Sequence, residues 1–479
     1  MSPYAYDRLT SLDSSFLMLE DPNSYLHMAS VLMFEAEPLR LPDGGIDFDR
    51  LVEATEAVLH RVPRYRQKLS WIPFENHPIW VDDVGFNAHY HIRHTSLPKP
   101  GTVRQLKRLS ARIMSQNLDH SKPLWENWVV EGLEGDRFAV ISKIHHSMAD
   151  GMAGADLLSI LLRTTQDDEI PQMPPFAPRR APSDWELIRH EIRRRAALPF
   201  EAVRQSSAFA REAENIREGL RTRMRAMADT VGKVIRPPSE TPLNQPIGSH
   251  RRFDWFTMEL DEAKRIAKEL GGTLNDVVLA TVAGAVRSFM IQRSVDPASI
   301  DFRVLAPVSL RPDAERGQMG NQISAWIVDL PIGEPDARIR FARIAEQISG
   351  FKRTNQASAA DLVTQLGDWI SPRLVSFGAR ALVQRRLPFN MVVTNVPGPQ
   401  IPLFMLGARL TDLFPSVPIT GRLGLGIALF SYDGKLYWGF NADWEQLPDL
   451  HGFIELTEFA FDDLRSAAGM ERYSVRLVE

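Results

Sequence analysis

The sequence predicts an α/β fold in which two domains, each a mixed sheet with flanking helices, are joined by a long helical connector. The chain has 479 residues, more than one ordinary hydrophobic core accommodates. Strand-like and helix-like segments alternate in the first third and again in the second half. A proline-rich and then an arginine-rich stretch separate these parts. We therefore expect domains over residues 1–168 and 246–479, with a linker and connector over 169–245.

In the first domain, apolar residues recur at helical spacing after Asp47, a good N-cap, and again over Val103–Leu118. Short apolar runs bounded by turn residues predict strands. These strands are expected at Tyr25–Phe34, within Trp71–Val84, at Trp125–Val130 and at Phe138–Ile144, and a further helix is expected at Met152–Leu162.

The second domain shows the same mixed pattern. Strands are predicted at Arg252–Met258, Arg303–Val308, Gln322–Leu330 and Asn390–Thr394, and helices at Asp261–Leu270, Thr273–Arg293 and Leu450–Ser466. Asp433-Gly434 between two further apolar runs, Leu425–Ser431 and Lys435–Phe440, is typical of a tight hairpin.

The middle of the chain changes composition abruptly. The proline-rich Ile170–Pro178 predicts an irregular linker. Ten arginines between Glu186 and Val234 then predict one or two long helices. We favour an amphipathic bridge between the domains, with attraction to anionic lipid headgroups as the second interpretation. Nucleic-acid binding, the third, lacks interleaved aromatic residues.

Composition excludes several classes of function. The formal net charge is −4, so no overall basic field points to nucleic acid. The chain has no cysteine, which excludes disulfides, iron–sulfur clusters, thiolate zinc sites and a cysteine acyl-enzyme. We see no secretory signal and no continuous apolar run of the ~18 residues that span a bilayer. We therefore expect a protein that is not integral to a membrane, although it can lie on one.

The segment with the most chemistry ends an apolar strand with His145 and His146 and reaches Asp150 and Gly151 after a short loop. Neighbouring strand residues point to opposite faces, so the two rings cannot both face one pocket while the strand continues. Gly151 allows a tight turn into the next helix, and Asp150 can hold the loop by ion pairs or hydrogen bonds.

Three interpretations fit these residues. The first is a pair of packed histidines beside a helix-capping aspartate. The second is a metal site formed by His145, His146 and Asp150, which the divergence of adjacent strand residues disfavours. The third is a general base, in which a neutral imidazole removes a proton from a hydroxyl or amine nucleophile. The residues alone leave all three open.

Several motifs in order resemble one family. The two histidines, Asp150 and Gly151 occupy an HHxxxDG pattern, which is the signature of acyltransferases with the chloramphenicol-acetyltransferase-like fold. The other matching segments are Leu12–Leu17, Pro123–Trp125 (PLW), Asn275–Asp276 (ND), Val308–Arg311 with Gly320–Asn321, and Asn395–Pro399 (NVPGP). As an ordered set covering nearly the whole chain, they resemble the bacterial wax ester synthase/diacylglycerol acyltransferases.

The resemblance implies transfer of a long-chain acyl group from acyl-CoA to diacylglycerol or a long-chain alcohol, directly and at the interface of the two domains. It implies that His146 is the catalytic base, beside His145 and Gly151, and that Asp150 orients the loop. It implies no metal and no cofactor, with acyl-CoA as a co-substrate. The implied substrate-binding residues are Trp125, Asn275, Asp276, Asn395 and Gly398. Without cysteine and without a GxSxG elbow, nothing in the residues argues for a covalent intermediate.

Most of these supporting residues also have a structural interpretation. Asp276 has the spacing of a capping box with Thr273, and Trp125 is typical of a strand core. Asn275 could donate an amide N–H to a developing oxyanion. Gly398 lies between two prolines in a rigid turn that the resemblance places in the cleft.

Asp150 has two candidate partners for an ion pair, Arg311 and Arg8, and the sequence leaves the choice open. His120 precedes a polar, proline-containing segment and is expected to be a solvated loop residue.

Two alternatives to the favoured function are a condensation-type or secondary-metabolite acyltransferase that uses a carrier-bound thioester, and a degenerate lipid-binding homologue. The ordered motifs and the absence of an adjoining carrier segment weigh against the first. The expected partners are acyl-CoA and diacylglycerol or a long-chain alcohol, with no nucleic acid. We expect a cytoplasmic location, with peripheral association at the inner face of the membrane or at lipid bodies.

Overall fold

The computed structural model describes residues 6–148, 162–194, 237–309, 323–354 and 387–471. Within these ranges the chain forms two six-stranded sheets and one three-stranded sheet, with flanking helices, which confirms the predicted fold class. Most of the predicted helix at Met152–Leu162 and most of the arginine-rich connector lie outside the described residues. Outside them also lie Asp150, Gly151, Arg311, Gly320 and Asn321.

The first half forms one large sheet and the small sheet. Its helices are α1 Ser11–Leu19, α2 Phe48–Val58, α3 Ala88–His91, α4 Val103–Met114 and α5 at 184–194. Its strands are β1 Tyr6–Arg8, β2 His27–Glu35, β3 Gln67–Trp71, β4 Pro78–Asp82, β5 Ile92–Ser96, β6 Trp125–Leu133 and β7 Arg137–His145. Asp47 caps α2 as predicted, because its carboxylate accepts the N–H of Arg50 at 3.1 Å.

The second half supplies the other large sheet and the helices that cover it. Its helices are α6 Leu260–Leu270, α7 Leu274–Gln292, α8 Ala337–Thr354 and α9 Leu450–Ala467. Its strands are β8 Arg251–Glu259, β9 Phe302–Ser309, β10 Ile323–Leu330, β11 Met391–Pro397, β12 Phe404–Met405, β13 Ala408–Ser416, β14 Leu425–Tyr432 and β15 Lys435–Asp443.

Both large sheets are mixed. The first has the order β12-β13-β2-β7-β6-β5, and only β5 and β6 pair in parallel. The second has the order β10-β9-β11-β14-β15-β8, with β11 parallel to both of its neighbours. The predicted hairpin joins β14 to β15 through Asp433 and Gly434, both at positive φ, as a tight turn requires.

One strand pair crosses between the halves, and the sequence analysis contains no strand there. β13 pairs antiparallel with β2, from Leu410 opposite Phe34 to Ser416 opposite Ala29. Residues 404–416 therefore belong to the second half by their place in the chain and to the first sheet by hydrogen bonding. Trp255 of β8 also stacks on Phe414 at 4.7 Å between ring centroids. The halves are thus joined by paired backbone as well as by the connector.

The proline-rich linker is irregular, as predicted, and it is fixed to the first half. The Arg179 guanidinium donates to both carboxylate oxygens of Asp82, at 2.9 and 3.0 Å. Phe176 lies 4.7 Å from the guanidinium carbon of Arg66. Such a bidentate ion pair and a cation–π contact hold the linker along the surface.

Helix α7 is the one helix in the described ranges that is long and apolar enough to cross a membrane by length and composition. Most of it is buried inside the protein, where it packs among the apolar residues of the second sheet, α8 and α9. The apolar run is not continuous in the sequence, because Asn275, Asp276 and Arg287 interrupt it. We assign α7 as the central helix of the second hydrophobic core.

Candidate active site

His145 is the last residue of β7 and is completely buried. The backbone N–H of Ser147 points to its Nδ1 at 3.1 Å, and the Ser147 hydroxyl lies 2.6 Å from the same nitrogen. Because the N–H must donate, Nδ1 carries no proton, and the neutral ring holds its proton on Nε2. That proton faces the Glu20 carboxylate, whose Oε1 is 3.2 Å from Nε2. The ring is therefore fixed in one tautomer.

Glu20 connects several parts of the site. Its Oε1 accepts the N–H of Leu26 at 2.8 Å, and its Oε2 lies 2.9 Å from Nε2 of His120. The carbonyl of Leu26 in turn accepts the N–H of His146 at 2.8 Å. Burial would raise the Glu20 pKa, but the hydrogen bonds from His120 and His145 outweigh it and hold that pKa far below its usual value. A carboxylate thus holds the ring of one histidine and, through one peptide, the backbone of the other.

The same three side chains could be considered as metal ligands. One ligand atom from each of Glu20, His120 and His145 lies within 4.8 Å of the others. The tautomer argues against ligation, because Nε2 of His145 bears the proton and has no lone pair for a cation. The prediction for His120 was wrong in part: its ring is partly exposed but lies against Glu20, because the loop folds back over α1.

His146 begins a short 3₁₀ turn where β7 ends, and its surroundings differ from those of His145. Its ring lies against the Phe16 ring of α1, with centroids 4.0 Å apart at 32°. The ring is mostly buried but keeps part of its surface exposed. Its Nδ1 is a buried atom without a hydrogen-bond partner among the described residues. The metal alternative with both adjacent histidines as ligands therefore has no geometric support.

Burial and the nearby His145 lower the pKa of His146 to about 4. The apolar Phe16 ring contributes to this effect, because it removes water that would solvate an imidazolium. At neutral pH the His146 ring is uncharged and can accept a proton. This is the protonation state that a general base needs.

The PLW segment holds the strand end that carries the histidines. The carbonyl of Leu124 accepts the N–H of His145 at 2.9 Å. Trp125 is buried, donates its indole N–H to the Tyr65 carbonyl at 2.8 Å, and stacks on His91 at 4.6 Å. This packing supports the core interpretation of Trp125, while its contact with an acyl chain stays a prediction.

The ND pair stands at the start of α7. The Asp276 carboxylate accepts from the N–H and the hydroxyl of Thr273, both at 2.7 Å, so the capping box is confirmed. Asn275 is half-buried, and its amide nitrogen has no hydrogen-bond partner in the described ranges. Among those residues, no hydrogen bond, ion pair or ring contact joins either side chain to His146. Substrate binding by Asn275 and Asp276 stays a prediction.

The NVPGP segment ends β11 beside β14. Asn395 is half-buried and pairs with Leu429 across the two parallel strands. A Cβ on Gly398 would stand 2.3 Å from the Phe430 ring and 2.4 Å from the Ser431 carbonyl oxygen. Glycine is required here for close approach of two strands rather than for an unusual φ. The assignment of Asn395 and Gly398 to substrate stays a prediction.

Comparison with known proteins identifies the relatives of this chain. Residues 9–278 match the model of the wax ester synthase/diacylglycerol acyltransferase catalytic domain, and residues 319–465 match that family's C-terminal domain. A Mycobacterium tuberculosis protein described as “Putative diacyglycerol O-acyltransferase” is 32% identical over 466 residues, covering 94% of this chain and 88% of the relative.

The chain belongs to the wax ester synthase/diacylglycerol acyltransferase family. It is an acyl-CoA-dependent O-acyltransferase, as the motifs predicted. The solved structure of the wax ester synthase/diacylglycerol acyltransferase from Marinobacter aquaeolei VT8 has the same fold, with TM-score 0.67 and 24% identity over 97% of this chain and all of that one. The first condensation domain of the CDA synthetase shares the fold at TM-score 0.57 and 16% identity, over 99% of this chain and 100% of the other.

The partner of Asp150 in this family member is not placed by the described residues. Arg8, one of the two predicted partners, donates to Glu191 at 2.8 Å and lies 3.5 Å from Glu75. Arg311, the other, lies outside the described ranges together with Asp150. The orienting role of Asp150 and the place of Gly151 stay predictions.

The sequence analysis missed Glu20 and Phe16, which contact the two histidines directly. Glu20 lies 125 positions before His145, and no spacing connects the two. The family start at Leu12–Leu17 was recognised, but only as a marker of membership. The buried carboxylate becomes visible once α1 is seen to pack against the 3₁₀ turn of His146.

Proposed function

We propose that this acyltransferase esterifies diacylglycerol or a long-chain alcohol with a long-chain acyl group from acyl-CoA, and that His146 is its general base. The observation that supports this most is the ring of His146, which is neutral, partly accessible and unpartnered at Nδ1 within the described ranges. A base in this state can take a hydroxyl proton without first losing one of its own.

The reaction needs no covalent intermediate on the enzyme. The acceptor hydroxyl gives its proton to the imidazole while its oxygen bonds to the thioester carbonyl carbon. The tetrahedral intermediate then releases the thiolate, the C–S bond breaks, and the imidazolium returns the proton to sulfur. The products are an ester and free CoA. Because the chain has no cysteine, an acyl-cysteine step is excluded.

Glu20 and His145 support this step by position. The ionised Glu20 holds His145 through Nε2 and holds the His146 backbone through the Leu26 peptide. The Phe16 ring covers one face of the imidazole and limits its rotation. The base is thus oriented before substrate arrives, which lowers the entropic part of the barrier.

We further propose that neither metal nor redox cofactor takes part, since proton transfer and acyl transfer change no oxidation state. Both acceptor classes and the acyl donor carry long apolar chains, which partition to lipid surfaces. We therefore propose a cytoplasmic enzyme in peripheral contact with a membrane or a lipid body.

The test is incubation of the purified protein with labelled palmitoyl-CoA and a panel of alcohols, diacylglycerols and amines, followed by separation of the products. We expect triacylglycerol or wax ester, and no amide. Activity that is unchanged after dialysis against a chelator would agree with the metal-free mechanism.

The matched variants are His146→Ala and His89→Ala, because His89 is an exposed histidine of α3 far from the motif in the sequence. We expect His146→Ala to lose at least about 100-fold in turnover, the usual contribution of a general base, while His89→Ala keeps it. Near-normal turnover by a folded His146→Ala protein would contradict the mechanism, and absence of any ester product would contradict the function.

A further inference from the structure

The hairpin between β3 and β4 carries an exposed aromatic side chain at its tip. Phe74 is 86% exposed, and its backbone φ is +64°. Bulky residues rarely adopt positive φ, because the Cβ then crowds the backbone. The turn therefore holds a large apolar ring in water in a backbone conformation that local sterics disfavour. Strain of this kind is typical of functional positions.

Helix α5 has two faces of opposite character. Its inner residue Leu187 is buried in an apolar cluster with Ile72 and Ile79 of the hairpin. Its outer face exposes Trp185 and Ile192, at 80% and 63%. These two residues are seven positions apart and so lie on one side of the helix. The outer face is apolar where a solvated helix would be polar.

The hairpin tip and α5 belong to one small lobe, which comprises β1, β3, β4 and α5. The guanidinium of Arg194 lies 3.5 Å from the carboxylate of Glu75, the residue after Phe74. Arg8 of β1 donates to Glu191 of α5 at 2.8 Å. These ion pairs and the apolar cluster fix the exposed ring of the tip close to the exposed face of the helix.

Positive charge accompanies the apolar side chains. Arg189 and Arg193 are exposed and lie four and eight positions after Trp185, which places them on the same side of α5. The acidic Glu191 is turned to the inner side, and Asp184 is the exposed acidic residue at the helix start. The outer face thus combines a tryptophan, an isoleucine and two cations.

We propose that the outer face of this lobe docks on an anionic phospholipid surface, with Phe74 and Trp185 inserted below the headgroups and Arg189 and Arg193 at the phosphates. Amphipathic helices bind lipid interfaces in this way, and tryptophan prefers the headgroup level. Each arginine near an anionic surface adds an electrostatic attraction.

Chance exposure and self-association fit this face less well than lipid does. Single exposed apolar residues are common, but here three large ones stand in one lobe beside two arginines. Docking of a second copy through the same face would bring Arg189 and Arg193 of both copies together, and like charges oppose such an interface. Charge complementarity therefore favours anionic lipid.

The binding test uses the full chain with phosphatidylcholine vesicles, either alone or mixed with phosphatidylglycerol, and measures protein that floats with the vesicles. We expect wild type to bind the mixed vesicles and much less of it to bind phosphatidylcholine alone. The double variant Phe74→Ser/Trp185→Ser should lose at least about tenfold in partitioning, from the apolar surface it no longer buries. Arg189→Gln/Arg193→Gln should lose about tenfold on mixed vesicles only.

The matched control changes the same residue types on the other half of the chain. Phe459 and Trp444 are 54% and 48% exposed, so Phe459→Ser/Trp444→Ser removes similar rings from water. This control should bind like wild type. Turnover of a short-chain, water-soluble donor and alcohol, with thermal melting, shows that each variant is folded.

The lack of cysteine allows a direct test of contact. A single cysteine introduced as Phe74→Cys, Trp185→Cys or Phe459→Cys can carry one environment-sensitive dye at a known position. Mixed vesicles should shift the emission to the blue at positions 74 and 185 and leave position 459 unchanged.

Equal shifts at all three positions, or normal binding by a folded Phe74→Ser/Trp185→Ser protein, would overturn the proposal. So would wild type that does not float, or a solution dimer dispersed by Trp185→Ser, which would assign the face to a second copy. No substrate enters these measurements, so failure of the proposed function leaves this result unaffected.

Discussion

Replacement of Phe16 by alanine tests whether this ring sets the protonation of His146. The two rings lie 4.0 Å apart, and burial with the nearby His145 lowers the pKa of His146 to about 4. A shift from 6.5 to about 4 corresponds to about 3 kcal/mol of preference for the neutral form. We expect Phe16→Ala to admit water and raise this pKa by about one unit, whereas Phe16→Leu should keep most of the shift.

The assay is the pH dependence of kcat/KM for the free enzyme, which reports the pKa of the essential base. Wild type should keep nearly all of its activity from about pH 7 to about pH 5.5, because His146 remains neutral there. A histidine of ordinary pKa would lose about tenfold at about pH 5.5. Glu20 stays ionised over this range, since its pKa is held far lower, so it adds no limb to the profile.

The sign of the stability effect follows from the same shift. Because folding lowers the pKa of His146, the unfolded chain binds more protons between about pH 6.5 and about pH 4. Stability from this group is therefore complete above pH ~6.5 and is lost as pH falls through that window. A wild-type acid limb near pH 6.5, unchanged in Phe16→Ala, would refute both the burial argument and the role of Phe16.

Three further substitutions test other parts of the structure. Glu20→Gln replaces charge-assisted hydrogen bonds by neutral ones, so turnover should fall about thirtyfold, about 2 kcal/mol, while the exposed Glu53→Gln has no effect in the same ester assay. Gly398→Ala places a Cβ 2.3 Å from the Phe430 ring, and denaturant unfolding should show a loss of about 2 kcal/mol; an unchanged midpoint would mean that the strands separate freely. Thr273→Ala removes the N-cap of α7 and should cost about 1 kcal/mol in the same measurement, with turnover retained if the ND pair acts only as a cap.

The sequence predicted the local elements well where one physical signal dominates. The apolar spacing of α4, the cap at Asp47 and the Asp433-Gly434 turn all act over a few residues, and each is confirmed. These signals do not depend on what the rest of the chain does. Local chemistry therefore carried most of the element assignments.

The long-range arrangement was harder to predict for a physical reason. The pairing of β13 with β2 depends on residues about 380 positions apart, and no periodicity in either strand names its partner. The carboxylate of Glu20 likewise reaches His145 only after α1 packs beside the 3₁₀ turn. The histidine pair was recognisable in the sequence, but what holds it was not.

The crossing strand has a consequence for synthesis on the ribosome. Until residue 416 has emerged, β2 has a neighbour on one side only, and its nine residues leave a largely apolar edge unpaired. Open edges of this kind recruit other strands. A gene truncated after the connector should therefore yield an aggregating product, and co-expression of the missing half as a separate polypeptide should restore solubility.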